Sequence, residues 1–308
     1  MKLEEPRVAS WTDRAKPSVA VVIPCLNEAS SLPYVFSRMP DVDEVILVDG
    51  HSVDDSVAVA QRLYPSVRVE KQSRTGKGNA LACGFAASTS DILVTLDADG
   101  SADPAEIPRF VAVLCEGADF AKGSRFMPGG GSDDITRLRR LGNGQLTALT
   151  NLLYRQRFTD LCYGYNAFWR RVLPSLRLPP IDGGYAPDEV VEGDGFEIET
   201  LMALRAASAR LKIVEVPSHE AHRMHGVSNL NTYRDGRRVL RTILTEFRAR
   251  RAGLAAAATA DSAPAASPLP HIPAQRQPEA APRGHDQAPC TTEQSPRGPE
   301  PSPALSES

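Results

Sequence analysis

Four short apolar runs punctuate the first hundred residues: Val19–Pro24 (VAVVIP), Glu44–Val48 (EVILV), Val67–Glu70 and Ile92–Leu96 (ILVTL). A strand that is apolar at consecutive positions is covered on both faces, and such strands run parallel when helices connect them. Helical patterns fill the gaps at Ser31–Arg38, Gly78–Ala87 and Ala105–Cys115, and another runs through Leu63. Ser52 and Asp55 have the spacing of a capping box at the start of that last helix. The pattern predicts an α/β fold: one mainly parallel sheet flanked by helices. Ligands of such sheets bind beyond the carboxyl ends of the strands. Polar residues collect there: Asn27 and Glu28 after the first run, Asp49 after the second, Asp97 and Asp99 after the fourth.

Beyond residue 120 the pattern loosens. Met127–Ser132 (MPGGGS) has no period and reads as a mobile loop. A helix is expected from about Thr136 to Tyr154, short strands near Leu161–Trp169 and Leu211–Val216, and a basic helix over about Thr232–Arg250. From residue 252 the chain turns to Ala, Pro, Ser, Gln and Gly, a composition that buries too little apolar area to offset its ordering entropy. The expected organisation is an extension over 1–17, a folded domain over 18–251 and a disordered tail over 252–308.

A net charge of −3 argues against a nucleic-acid partner. The five scattered cysteines form no C-x-x-C pair and read as reduced thiols of a cytoplasmic protein. The charged amino terminus lacks the apolar core of a signal peptide, and no apolar run is long enough to span a bilayer. Any membrane contact is therefore expected to be peripheral, at the cytoplasmic face.

The stretch VTLDADGSADP (Val94–Pro104) carries three aspartates with two jobs. In an extended segment Asp97 and Asp99 point to one side, and two carboxylates that close need a compensating cation. Mg2+ or Mn2+ prefers one or two carboxylates completed by phosphate oxygens and water, so the pair reads as a metal–diphosphate clamp. The alternative is that both merely begin a loop. Asp103, followed by Pro104 and Glu106, is instead a complete helix start.

Familiar motifs fail nearby. Gly76-Lys77-Gly78 completes neither the P-loop nor the G-x-G-x-x-G pattern, and His219-Glu220-Ala221-His222 is not H-E-x-x-H. His219, His222 and His225 could share one face of a helix, but no further ligand cluster accompanies them.

Taken together, VVIPCLNE (Val21–Glu28), VILVDGHSVDDS (Val45–Ser56), GKGNAL (Gly76–Leu81) and LDADGSADP (Leu96–Pro104) resemble the successive signatures of family 2 glycosyltransferases. GSRF (Gly123–Phe126), DLCYGYNAFWRRVL (Asp160–Leu173), GFEIETLMALRA (Gly195–Ala206) and HRMHGVSNL (His222–Leu230) resemble the dolichyl- or polyprenyl-phosphate mannosyltransferase branch. The resemblance implies a GT-A fold and an inverting transfer from a nucleotide-diphosphate sugar with Mg2+ or Mn2+. It implies that Pro24, Asn27, Glu28, Asp49, Lys77 and Asp97 bind the donor, and that Asp99, with Asp97, holds the metal. Arg125 would meet the diphosphate or the acceptor phosphate, and Arg223 and Ser228 would sit on a loop closing over phosphates. Two positions depart from the branch: Ser101 stands where Gln or His is common, and Asn229 where Lys is common.

The donor is expected to be GDP-mannose or a UDP-sugar, and the acceptor a polyprenyl phosphate or a small hydroxyl compound. A hydroxyl acceptor needs a general base, for which Asp194 and Glu197 are candidates; a phosphate is already ionised at pH 7 and needs none. Glu197 and Glu199 could equally just cap or decorate their helix. In Thr232–Arg250, Leu240, Ile243, Leu244 and Phe247 form one stripe beside dense arginines. Such a helix either lies on an anionic membrane or packs on the core with a solvated basic face. The cluster Arg137, Arg139 and Arg140 has the same two readings. Competing functions are a nucleotidyltransferase, which would carry a Gly-rich basic loop where this chain has PCLNEASS, and a non-catalytic sugar-nucleotide binder.

Overall fold

The computed structural model describes residues 16–182, 184–185, 189, 191–225 and 231–261, with side chains to 253. The first half alternates β1 (Val19–Cys25), α1 (Leu32–Ser37), β2 (Glu44–Asp49), α2 (Ser56–Leu63), β3 (Arg68–Lys71), α3 (Lys77–Ala87) and β4 (Ile92–Thr95). Then come α4 (Ile107–Cys115), β5 (Phe120–Ser124), β6 (Gly131–Ser132), α5 (Arg137–Tyr154), β7 (Asn166–Trp169) and α6 (Leu173–Leu176). α7 (Ile198–Ser208), β8 (Ile213–Pro217), β9 (His219–Glu220) and α8 (Thr232–Asp261) complete the described chain.

Seven strands form one sheet in the order β3-β2-β1-β4-β7-β5-β8. All pairings are parallel except those of β7, which is antiparallel to both β4 and β5. The expected mainly parallel α/β architecture is present. The apolar runs are continuous because alternate residues serve different layers. Val19, Val21 and Ile23 pack with Leu32, Phe36, Phe110 and Leu114 of α1 and α4. Ala20 and Val22 pack with Leu81 and Phe85 of α3 and Leu201 of α7. The strand order reverses between β1 and β4, the crevice where open α/β sheets bind ligands.

Several local expectations change. The capping box at Ser52 is absent: the helix starts at Ser56, and the Ser52 hydroxyl accepts the Asn27 amide instead. A backbone amide from the facing loop took the hydroxyl that local sequence assigned to the helix. Met127–Ser132 is not a free loop, since it turns through a Gly130-to-Met127 bond and pairs as β6 with β9. That pairing puts His219 in a strand rather than on a helix face. Asp103 does start its helix, accepting the Ala105 amide at 2.9 Å, and it also pairs with Arg38.

Helix α8 packs on the domain. Val239 and Ile243 are buried with Tyr154 of α5 and Leu204 of α7, while Arg237, Arg241 and Arg248 face solvent. Leu240, part of the expected apolar stripe, is exposed. The helix continues past the compositional boundary at 251 through RAGLAAAATAD, because alanine is the strongest helix former. The expected disordered tail beyond residue 261 lies outside the described residues, as does the extension up to residue 15.

Candidate active site

A cavity of about 780 Å³ opens at the reversal point, lined by Pro24 near the end of β1, Glu28 after it, and Asp97 and Asp99 after β4. The segment after β4 is not extended: Ala98 and Asp99 lie in a turn, yet both carboxylates line the cavity. Asp99 is held by its neighbour, its Oδ1 accepting from the Ser101 amide at 3.0 Å and hydroxyl at 2.8 Å. Its Oδ2 pairs with Arg223 at 3.2 Å.

Lys77 sits between two carboxylates, 2.6 Å from Asp97 Oδ1 and 2.7 Å from Glu199 Oε1. Burial works against its charge, but Asp97 and Glu199 outweigh it and raise the ammonium's pKa. Burial raises the Glu199 carboxyl, with Lys77 opposing and Asp97 adding to the shift. The glycines around Lys77 admit another segment. A Cβ on Gly78 would lie 1.8 Å from the Gly193 carbonyl oxygen, and Gly76 adopts φ +131° against the Asp194 backbone. Close approach of residues 193–195 brings the start of α7, and with it Glu199, against Lys77. Gly164 completes the cradle, since a Cβ there would lie 2.9 Å from Lys77 Nζ.

The remaining expected residues divide. Glu28 is half-buried with its pKa raised, first by burial and then by Asp99 and Asp97. Asn27 takes φ 57°, and its Oδ1 accepts the Val53 amide. Asp49 is buried and accepts the Ser52 amide. Both therefore shape the turns that border the cavity, while Pro24, Glu28, Lys77 and Asp97 line it. Arg125 also lines it but is heavily engaged. Its Nε and Nη2 reach Asp160 at 2.7 and 3.1 Å, its Nη1 reaches Glu220 at 3.1 Å, and its guanidinium lies 4.8 Å over the Tyr163 ring. Burial depresses the Arg125 pKa, but Asp160 and Glu220 more than reverse this.

Asp194 meets Arg74 in a buried two-pronged pair at 2.6 and 2.9 Å. Both of its oxygens are thus engaged by a guanidinium. Glu197 is not mere decoration: its buried Oε1 accepts the amides of Gly193 and Gly195 at 3.1 and 3.3 Å. Ser228 lies outside the described residues; Arg223 is described and reaches Asp99.

Sequence reasoning missed Glu199 as a partner of Lys77, and also Arg74, Asp160 and Glu220. One signal was available for Glu199: it sits in a helix with nearly every position buried, where a carboxylate needs a paired cation.

Asp97 and Asp99 are hard oxygen donors, and no group of three or more His, Cys, Asp or Glu side chains suited to a metal occurs among the described residues. Two carboxylates fit Mg2+ or Mn2+ if phosphate oxygens and water supply the rest of the shell. The histidines do not assemble a zinc site: His219 pairs with Asp133 at 2.9 Å, and His222 approaches Asp134 at 3.8 Å.

The chain is 44% identical over 108 residues to an uncharacterized glycosyltransferase of Mycobacterium tuberculosis, a stretch covering 35% of this chain and 49%, about half, of that relative. It is 30% identical over 240 residues to the polyprenol monophosphomannose synthase of Mycolicibacterium smegmatis, covering 74% of this chain and 85% of that protein. The fold matches the crystal structure of Mycobacterium tuberculosis glucosyl-3-phosphoglycerate synthase in complex with Mn2+, UDP and glucosyl-3-phosphoglycerate. The TM-score is 0.54 at 26% identity, over 75% of this chain and 80% of that one. Residues 20–177 match the family model described as Glycosyl transferase family 2. The chain belongs to glycosyl transferase family 2.

Proposed function

We propose that the protein is a metal-dependent, inverting glycosyltransferase that moves a sugar from a nucleotide-diphosphate donor, GDP-mannose or a UDP-sugar. The observation that carries this reading is the pair Asp97 and Asp99 at the strand-order reversal, facing the cavity beside Lys77. The named relatives, one a polyprenol monophosphomannose synthase and one structure holding Mn2+ and UDP, support it.

Departure of a nucleoside diphosphate builds negative charge on its β-phosphate. A divalent ion held by Asp99 and Asp97 would supply stabilisation where that charge develops. Lys77, fixed by Asp97 and Glu199, keeps its positive charge at the same wall of the cavity, and Pro24 and Glu28 border the donor side. Arg125 also lines the cavity but is paired with Asp160 and Glu220 rather than presenting an unpaired charge.

With Asp194 engaged by Arg74 and Glu197 accepting the Gly193 and Gly195 amides, a phosphate acceptor, which needs no base, is favoured over a hydroxyl one. A polyprenyl phosphate is the form of that acceptor suggested by the relative's name. It would reach the site from the cytoplasmic membrane face, with peripheral contact through the basic surfaces of α5 and α8. No described helix is long and apolar enough to cross a membrane.

A thermal-shift panel of GDP-, UDP- and dTDP-sugars with and without Mn2+ tests the reading. One donor should stabilise the protein in a metal-dependent way, and that donor should then transfer its sugar to a polyprenyl phosphate. No metal-dependent stabilisation by any of them would sink it.

A further inference from the structure

Arg223 touches the oxygen a metal would need. Ser101 occupies Asp99 Oδ1 with two hydrogen bonds, and Oδ2 is the oxygen paired with Arg223. The contact is built into the backbone as well. The Met224 amide donates to the Asp99 carbonyl at 3.0 Å, the Ala221 amide donates to the Ser101 carbonyl at 2.8 Å, and Ala102 bridges Glu220. Met224 also packs against Gly100, where a Cβ would lie 2.8 Å from Met224 Cγ. The upstream end of this segment is pinned, since Glu220 holds Arg125 and Ser132. Residues 220–224 thus lie along the Asp99–Ala102 turn, with the guanidinium delivered to the acidic wall. Glu28, Asp97 and Asp99 supply negative charge there, and Lys77 is already engaged by Asp97 and Glu199.

We propose that Arg223 is a displaceable internal cation of the metal site, competing with the divalent ion for Asp99 Oδ2. This rests on the metal-dependent reading above. One carboxylate oxygen cannot give its full charge to a guanidinium and to a hard divalent ion at once, so each weakens the other. Displacement also has a productive side. The freed guanidinium lies at the cavity wall, where a planar five-donor group suits phosphate oxygens. Metal binding and phosphate binding are therefore coupled through one side chain, and by linkage the coupling is reciprocal.

The test measures Mn2+ binding to the donor-free protein from the electron paramagnetic resonance signal of free Mn2+. Arg223→Met, similar in length but uncharged, is expected to bind Mn2+ about tenfold more tightly than the wild type, and Arg223→Lys to stay close to it. With inorganic pyrophosphate as probe, Mn2+ should enhance binding less in Arg223→Met than in the wild type. Unchanged or weaker Mn2+ binding by a Met variant with a normal melting transition overturns the proposal alone. No Mn2+ binding by either protein, even with UDP or GDP, overturns it together with the metal-dependent reading. Should the Met variant fail to fold, Arg223→Gln is held to the same two outcomes.

Discussion

Single carboxylates in this protein take roles set by their partners rather than by their type. Asp99 is positioned by Ser101 and lines the cavity, so Asp99→Asn should cut Mn2+ binding and reduce turnover at least about 100-fold with little change in Tm. Asp160 is the contrasting case, fully buried and paired with Arg125. Burial alone would raise its pKa, but Arg125 lowers it below the ordinary carboxylate range. A depressed folded-state pKa contributes stability that is complete above the unfolded value of about 4 and is lost as pH falls through the folded value. Asp160→Asn should therefore cost about 3–5 kcal/mol at neutral pH and flatten the acid limb of the Tm–pH profile, read by calorimetry. Asp97 and Asp99 were legible because an acidic pair at the end of an apolar strand has few other uses. The Arg74–Asp194 pair was not, because 120 residues separate its members and neither carries a local pattern.

Elements matter here for what they bring close. The turn before α3 and the segment before α7 touch backbone to backbone at Gly76 and Gly78, and that approach sets Glu199 on Lys77. Gly78→Ala should push the two apart, costing about 1–3 kcal/mol as an overpacking change and lowering donor affinity. Thermal melts and a donor titration would register it, whereas an alanine at Gly144, which has open space around it, should leave donor affinity unchanged. The strands and most helices were readable from hydrophobic period, since the sheet is buried on both faces. The Met127–Ser132 stretch was not, because its order comes from pairing with β9, about 88 residues away.

At the scale of the whole molecule, α5 and α8 bring exposed apolar and basic groups onto the domain surface. Leu138, Leu141 and Leu152 of α5 are exposed, and Arg237, Arg241 and Arg248 of α8 face solvent. If this surface meets an anionic membrane, the protein should co-sediment with phosphatidylglycerol vesicles but not with neutral ones, and release as salt rises. Reversing Arg237, Arg241 and Arg248 to Glu should weaken that binding severalfold while leaving Tm nearly unchanged; equal binding would remove α8 from the contact. The sequence by itself determined the layered α/β sheet and the acidic pair at the end of β4. Both follow from local pattern: apolar period dictates burial, and a charged pair at a strand end falls at the carboxyl edge of the sheet, where the cavity opens. Tertiary structure alone decided which charge pairs with which. Arg125 and Asp194 are taken by Asp160 and Arg74, while Lys77 and Arg223 are aimed at the aspartates. That assignment depends on distances between residues far apart in the chain, which no local period encodes.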